Sequence, residues 1–570
     1  MQHQKTALIS VYNKNGLEDF AKALVSMGWK IISSGGTAKY LSENGIAVTD
    51  VEEITGMPAI LGHRVATLHP KIHGGLLALD TPEHIADLEK YGISRIDMVC
   101  VDFYPLEDEV ANPDATRESV IEKTDIGGPT MIRASAKGGR ITICDPIDRP
   151  RVIEWLQAGE PEKENFLNAL SAKAEAVVGR YCSISGEYHS GGEYKAIFGK
   201  RNYECAYGEN AYQKPAALFE NLGSKDALAV HNWKQVGGSA MSYNNICDLD
   251  RMIQTVTHIG AGFEKNFSQV PFVAIGVKHG NPCGAGVSDA DGGVAVEKML
   301  TGDLRAIFGG MVMVNFPVDE KIAEDLIHKY VAEGRRLLDM VAAPSFSEEA
   351  IEILSRKKGK CRLVVNPKIE KAGQDSLDIA KRFRYVRGGF LEQPNYTFVP
   401  VDNMQGDPLH ANMQGDPLPL NALPQDAVLA WAVGSTSNSN TITLVKDGQL
   451  LGNGVGQQDR VGAAKLAISR ADESAGFRAS MGEAQSAESA QSAQSAQEGT
   501  QTADLTGATA YSDSFFPFPD APEVLIDRGI KTIFSTSGSV NDEKIIELCK
   551  NREVKLILIP DSEARGFYQH

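Results

Sequence analysis

Three stretches of this chain assemble residue types suited to proton transfer or anion binding. In 277–284, Val-Lys-His-Gly-Asn-Pro-Cys-Gly, a lysine stands directly before a histidine at the end of an apolar run, 271–276. An ammonium beside an imidazole lowers the imidazole pKa, so a neutral His279 serves as a base at pH 7 while Lys278 stabilises an oxyanion. The competing reading is a surface Lys-His dipeptide. Cys283, between Pro282 and Gly284, reads as a small turn residue rather than a nucleophile.

In 34–37, Ser-Gly-Gly-Thr falls between a predicted strand and a predicted helix. Glycines there let the backbone approach an anion, and a helix N-terminus offers free N–H groups to a phosphate. Lys14 and Arg64 add positive charge at the same sheet edge; a tight turn without a ligand is the alternative. In 125–129, Asp-Ile-Gly-Gly-Pro, Pro129 suits a first helical turn, Gly127 and Gly128 permit close approach, and Asp125 stands at the entrance. Lys137 lies two turns further on and, taken alone, reads as a solvated helix lysine. His63, His69 and His73 suggest a metal, but Pro70 interrupts any helix placing His69 and His73 on one face, and no Cys or carboxylate clusters nearby. No catalytic metal is expected.

The elements that must position these groups alternate between strand and helix. Residues 6–11 form a short apolar run, and Leu17, Phe20, Ala21, Leu24 and Val25 follow with one-sided helical spacing. Residues 29–33, 97–102 and 140–144 read as further buried strands, and a second helix runs through Ala38 and Leu41. This alternation predicts a parallel α/β sheet over 1–150 with ligands at the strand C-terminal ends. Residues 151–200 read as a helical connector ending in a Gly/Ser/Tyr-rich stretch, 183–192, and 201–570 as a larger α/β unit. Two low-complexity inserts interrupt that unit, near 403–420, where NMQGDPL occurs twice, and near 473–506, rich in Ala, Gln and Ser.

At 570 residues the chain needs at least two cores. It holds 57 Lys plus Arg against 74 Asp plus Glu, a net charge of −17, and no basic stripe, which argues against a nucleic-acid partner. No apolar run reaches the length of a membrane helix, and the first 14 residues lack a secretory core, so no membrane partner and a cytoplasmic location are expected. Eight scattered cysteines, none in a C-x-x-C pair, fit reduced thiols. The expected partners are small molecules.

The motifs SSGGTA, RVATLHPKIHGG, YP, DIGGPTMIRASAK, YGENAYQ, VKHGNPCG, FGG, RGGFL, GQQDRV and SDSFFPF, in this order, resemble the bifunctional purine-synthesis enzymes with AICAR transformylase and IMP cyclohydrolase activities. The resemblance implies an N-terminal cyclohydrolase with a methylglyoxal-synthase-like parallel sheet, closing formyl-AICAR into IMP with loss of water. It implies a C-terminal transformylase of cytidine-deaminase-like α/β subdomains without their zinc, moving a formyl group from 10-formyltetrahydrofolate to the 5-amine of AICAR. Lys14, Ser34, Gly36, Thr37, Arg64 and Thr67 match positions that hold the nucleotide. Tyr104, Asp125 and Lys137 match catalytic positions: Lys137 relays protons at the formyl oxygen, and Asp125 and Tyr104 orient and deprotonate the attacking amide. His279 matches the transformylase base and Lys278 its partner; Tyr207, Gly309, Asp339, Asn440, Arg460 and Phe516 match nucleotide or folate contacts. The resemblance further implies a homodimer with transformylase sites built across its interface.

The chain also departs from the family pattern. Ala66 stands where a lysine contributes to cyclisation, Ala206 replaces an arginine before Tyr207, and Ala211-Tyr212 replaces Pro-His. Asp102 replaces Asn, Asn438 stands where Lys or Gln is common, and the family's last His falls at Gln569, one place before His570. A lost charge-assisted hydrogen bond costs on the order of 1.5–3 kcal/mol, about ten- to a hundred-fold in binding or rate. Two alternatives therefore accompany the bifunctional enzyme: a transformylase with an impaired cyclohydrolase, and a degenerate homologue that binds purine nucleotides without turning them over. A phosphate-eliminating lyase, suggested by the N-terminal fold, is opposed by the large C-terminal part.

Overall fold

In the computed structural model, residues 4–331, 333–401, 423–486 and 502–568 are described, with the backbone alone from 480 to 486. Both copies of NMQGDPL, residues 487–497 of the Ala/Gln/Ser segment, Gln569 and His570 lie outside the described residues. The chain divides into two units, Met1–Phe198 and Gly199–His570.

The first unit is built on β1 (Thr6–Ser10), β2 (Lys30–Ser33), β3 (Thr49–Asp50), β4 (Met98–Val101) and β5 (Ile141–Ile143), all parallel in the order β3-β2-β1-β4-β5. The central strand is apolar on both faces, Ala7, Leu8 and Ile9 being fully buried, as a sheet covered by helices on both sides requires. Helix Leu17–Ser26 buries Leu17, Phe20, Ala21 and Leu24, whereas Val25 is 41% exposed. Eight residues at 3.6 per turn rotate about 80° from Leu17, which carries Val25 to the edge of the stripe. Parallel pairing sets the loops after Ser10, Ser33, Val101 and Ile143 along one sheet edge.

Two local expectations change. Pro70 does not exclude a helix after His69: it opens one, Pro70–Leu77, with His69 as N-cap accepting from the Lys71 N–H at 3.1 Å. Proline lacks only an N–H that no helical partner would bind at that position. The stretch 183–192 is no linker at its start, because helix Lys163–His189 runs through it. That helix buries Leu170, Ala174, Val178 and Tyr181, and residues 151–198, read from the sequence as a connector, lie in the first unit.

The second unit holds an 11-stranded sheet made of two α/β repeats. Two hairpins lie outside it: β6 (Gly199–Cys205) with β7 (Ala216–Asn221), and, later in the chain, β14 (Arg382–Val386) with β15 (Gly389–Gln393). After β8 (Lys234–Gly237), the first repeat runs helix Tyr243–Phe267, β9 (Phe272–Lys278), β10 (Asn281–Ser288), and then β11 (Met311–Val314), β12 (Met340–Ala343) and β13 (Arg362–Val365), each preceded by a helix. The second runs helix Gln425–Ser435, β16 (Ile442–Lys446), β17 (Gln449–Gly454), and then β18 (Thr509–Ser512), β19 (Thr532–Ser537) and β20 (Lys555–Pro560), again each preceded by a helix. Pairing is the same in both: an antiparallel hairpin, an antiparallel neighbour, then two parallel strands. The repeats meet antiparallel where β10 pairs with β17, so the order reads β20-β19-β18-β16-β17-β10-β9-β11-β12-β13-β8.

Even the hairpin turns correspond. Lys278-His279-Gly280-Asn281 has φ of 52° at His279 and 71° at Gly280; Lys446-Asp447-Gly448-Gln449 has 53° at Asp447 and 71° at Gly448. Two successive left-handed residues are what a two-residue turn needs to match strand twist.

Candidate active sites

In the first unit, β1 leads into loop 12–16, and the Lys14 ammonium donates to Thr37 Oγ1 at 3.1 Å and to the Val11 carbonyl. Thr37 lies in the first turn of helix Gly35–Glu43, whose N-cap is Ser34, so Ser34 and Gly36 stand at a helix N-terminus with Lys14 beside them. Free N–H groups and an ammonium facing one space suit a phosphate. Burial lowers the Lys14 pKa, while nearby Asp102 acts to raise it.

A second group gathers at the N-terminus of helix Gly127–Lys137. Asp125 Oδ1 accepts from the Gly128 N–H at 2.9 Å, and the Asp125 N–H donates to the Tyr181 hydroxyl at 2.6 Å. A Cβ on Gly128 would come within 2.5 Å of Asp125 Oδ2, and one on Gly127 within 2.9 Å of Thr67 Oγ1, so these glycines are what let Thr67 and Asp125 close on the helix end. Burial pushes the Asp125 carboxyl up, against the opposing N–H groups of Gly128 and Gly127, and Asp102 pushes the same way as burial. The Tyr104 ring packs on Tyr12 with centroids 5.7 Å apart, and the Lys123 ammonium lies 5.8 Å from the Tyr104 ring centre.

Two expected residues stand apart. Arg64 is exposed and pairs with Glu122 at 2.5 Å. Lys137 is exposed in the last turn of its helix, roughly 15 Å along the axis from the Asp125 end.

In the second unit the Lys278-His279 turn is held from three sides. Lys278 Nζ donates to the Phe308 carbonyl at 2.8 Å, and a Cβ on Gly309 would stand 3.9 Å from that nitrogen. The Gly280 N–H donates to Asp248 Oδ1 at 2.6 Å, and Asn281 Oδ1 accepts from the Asn438 N–H at 3.0 Å. Burial raises the Asp248 pKa, with the Gly280 N–H and His279 opposing. Arg251 binds the Asn438 side chain at 3.2 Å and the Thr436 carbonyl, tying loop 436–440 to helix Tyr243–Phe267. Asn440 Nδ2 donates to the Gln457 carbonyl at 2.9 Å. The Tyr207 carbonyl accepts from the Tyr243 N–H at 3.0 Å, at the start of the same helix. Asp339 begins the chain segment into β12, with Arg356 at 3.4 Å.

Arg460 and Phe516 face inward. The Arg460 guanidinium pairs with fully buried Asp513 and donates to the Phe515 carbonyl at 3.0 Å, and the Phe516 ring is 1% exposed in the core. Cys283 is not the turn residue expected: it stands within β10, where the register shifts between Pro282 and Gly284, and burial pushes its thiol up to about 12, away from a thiolate nucleophile. Among the described residues no three His, Cys, Asp or Glu side chains group as a metal site.

Sequence reasoning missed Lys123, Arg149, Asp248 and Arg251. A signal for the last two existed: Asp248, Arg251, Thr255 and His258 recur at helical spacing beside the apolar stripe Leu249, Met252, Val256, Ile259 and Phe263. Buried charged residues at such spacing need partners, and here the partners are the site loops.

Comparison with known proteins matches residues 139–470 to the family model described as AICARFT/IMPCHase bienzyme and residues 16–130 to the MGS-like domain. The bifunctional purine biosynthesis protein PurH of Bacillus cereus (strain ATCC 10987 / NRS 248) is 35% identical over 563 residues, 97% of this chain and 98% of its own. PurH of Bacillus cytotoxicus is 36% identical over 558 residues, covering 95% and 96%. The crystal structure of ForH is 31% identical, covering 34% of this chain and 100% of its own, with a TM-score of 0.30. With two family regions in sequence and end-to-end relatives above 30% identity, the chain belongs to the bifunctional purine biosynthesis (AICARFT/IMPCHase) family.

Proposed function

We propose that this chain catalyses the last two steps of IMP synthesis, formyl transfer from 10-formyltetrahydrofolate to AICAR and dehydrative closure of formyl-AICAR. The observation that carries the first step is the Lys278-His279 turn, fixed by Asp248 and Asn438. The 5-amine attacks the formyl carbon, His279 takes the amine proton, and Lys278 stabilises the oxyanion of the tetrahedral adduct. As the adduct collapses, the C–N10 bond breaks and His279 returns the proton to N10, releasing tetrahydrofolate. Tyr207, Gly309, Asp339 and Asn440 border the nucleotide and folate; Arg460 and Phe516 act from beneath by holding loop 513–516.

For closure, the phosphate sits between Lys14, Thr37 and the helix start at Ser34 and Gly36, with Thr67 at the start of helix Gly127–Lys137; Arg64 joins them only by exchanging Glu122 for the phosphate. Asp125 takes one amide proton as the nitrogen attacks the formyl carbon, and Tyr104 orients the amide; the formyl C–O bond then breaks, and the oxygen leaves as water with that proton and the formamido N–H proton. Lys123 provides the ammonium beside Tyr104 that Ala66 cannot. Lys137 stands at the far end of the helix from Asp125, so a relay to the formyl oxygen through it needs substrate lying along the helix. Lys123→Ala and Lys137→Ala separate the two: the variant that loses IMP formation identifies the working lysine.

The enzyme acts in the cytoplasm as a homodimer on small molecules, without nucleic acid or membrane. Exposed Tyr385, Phe390 and Leu391 on the β14–β15 hairpin suit burial by a second copy, and among the described residues no helix is long and apolar enough to cross a membrane. In a split assay, His279→Ala is expected to abolish tetrahydrofolate release and leave IMP formation from formyl-AICAR intact. Loss of both activities would refute two separate sites.

A further inference from the structure

We infer that Arg149, acting with Asp102, is the positioning residue that fixes loop 12–16 so that Lys14 faces the phosphate of the cyclohydrolase substrate. The inference rests on the closure reading above and adds two residues to it. Arg149 lies in the first turn of helix Asp148–Gln157 and is 2% exposed. Its guanidinium donates to the Asn15 carbonyl at 2.6 Å and the Asn13 carbonyl at 2.9 Å, and stands 3.3 Å from Asp102 Oδ2. Asp102 in turn accepts from the Asn13 N–H at 3.2 Å and from the Tyr12 N–H. One buried ion pair thus binds both donors and acceptors of the loop that carries Lys14, and it joins the loops after β1, β4 and β5.

A loop needing only closure has no use for two charges whose desolvation roughly cancels their attraction. What a planar five-donor fork adds is a defined shape, because its two carbonyl bonds and its carboxylate bond hold only in one arrangement. That arrangement leaves the Lys14 ammonium against Thr37 at the helix N-terminus. The Asp102 carboxylate also reaches electrostatically to Lys14, favouring its charged form, and to Asp125, disfavouring its charged form. Arg149 opposes Asp102 at Lys14, so the pair acts there through geometry, whereas at Asp125 the raised pKa makes the ionised carboxylate a stronger base.

A double-mutant cycle in the full chain tests this, reading IMP affinity by calorimetry alongside KM and kcat for formyl-AICAR. Asp102→Asn keeps the side-chain shape and is expected to weaken IMP about ten-fold and raise KM by a similar factor, with kcat changed less than about three-fold. In a Lys14→Ala background the same substitution is expected to cost under about two-fold, because its effect runs through Lys14. Arg149→Lys, which keeps charge but loses the fork, is expected to follow Asp102→Asn, and Arg149→Met to be worse. The melting transition of the first unit, followed in the same full-chain samples, reports folding of the unit that carries Arg149 and Asp102. Equal losses with and without Lys14, or a loss of affinity that only tracks a lowered melting transition, would overturn the inference. A parent chain that binds IMP without forming it would refute the closure reading, while the cycle in IMP affinity would still decide the positioning role.

Discussion

Asp125 is a carboxylate kept where its charged form is disfavoured, by burial first and by Asp102 second. A carboxyl whose folded pKa lies above its unfolded value stabilises the fold below the unfolded pKa, and that contribution is lost as pH rises through the folded pKa. Above its raised pKa, ionised Asp125 is therefore a net cost to stability, retained because a base must be ionised to act. Asp125→Asn keeps an acceptor for the Gly128 N–H and removes the charge. Its Tm at pH 7 is expected to equal or exceed the parent's, with any gain vanishing at acid pH, while IMP formation falls about 10²–10⁴-fold. A lowered Tm at pH 7 would show that Asp125 is a structural anion instead. At this scale the sequence exposed Lys14, Thr37, Asp125, Lys278 and His279, whose neighbours in the chain are the glycines and turns that place them. Arg149 and Asp248 escaped it because their work is done on loops 134 and 32 residues away.

Elements decide how closely those side chains approach. Gly128 is in the first turn of its helix because any Cβ would meet both Asp125 Oδ2 and, at 3.0 Å, Phe103. Gly128→Ala is expected to displace the carboxylate and reduce IMP formation about ten- to a hundred-fold, with transformylase unchanged. The paired hairpin turns of the second unit provide a comparison within the same molecule. Asp447 occupies the position of His279 in the second repeat and holds the same left-handed backbone. Asp447→Ala is expected to leave transformylase within about two-fold, as a surface change does, whereas His279→Ala removes it; equal losses would mean that turn geometry alone, not imidazole chemistry, was being measured. Four strands of the first unit, β1, β2, β4 and β5, were legible because apolar runs alternate with one-sided helices; β3, two half-buried polar residues at the sheet edge, carries no such run. The two repeats of the second were not, since what they share is pairing order and a Lys-x-Gly turn, and hydrogen-bonding partners far apart in the chain leave no periodic trace.

At the level of the whole molecule, each unit has its own buried core: one side of the first sheet centres on Ile9, Phe20 and Trp29, and the second unit on Phe263, Val277 and Trp431. A fragment of residues 1–198 is accordingly expected to unfold cooperatively on its own, as a domain with an independent core does; a fragment cut at 150 would lose Leu170, Ala174 and Val178 from that core and melt lower. Composition showed that one core could not serve the whole chain, but not that helix Lys163–His189 belongs to the first, because its buried face is only one narrow stripe in a polar sequence. The central claim is that one chain carries two separate working sites, the first despite Ala66. The most direct test supplies purified parent protein with AICAR and 10-formyltetrahydrofolate, following tetrahydrofolate release, and separately with formyl-AICAR, following IMP by absorbance. Both activities are expected, with Asp125→Asn abolishing only the second and His279→Ala only the first. Tetrahydrofolate release without any conversion of formyl-AICAR would contradict the account and leave the first unit without a working site.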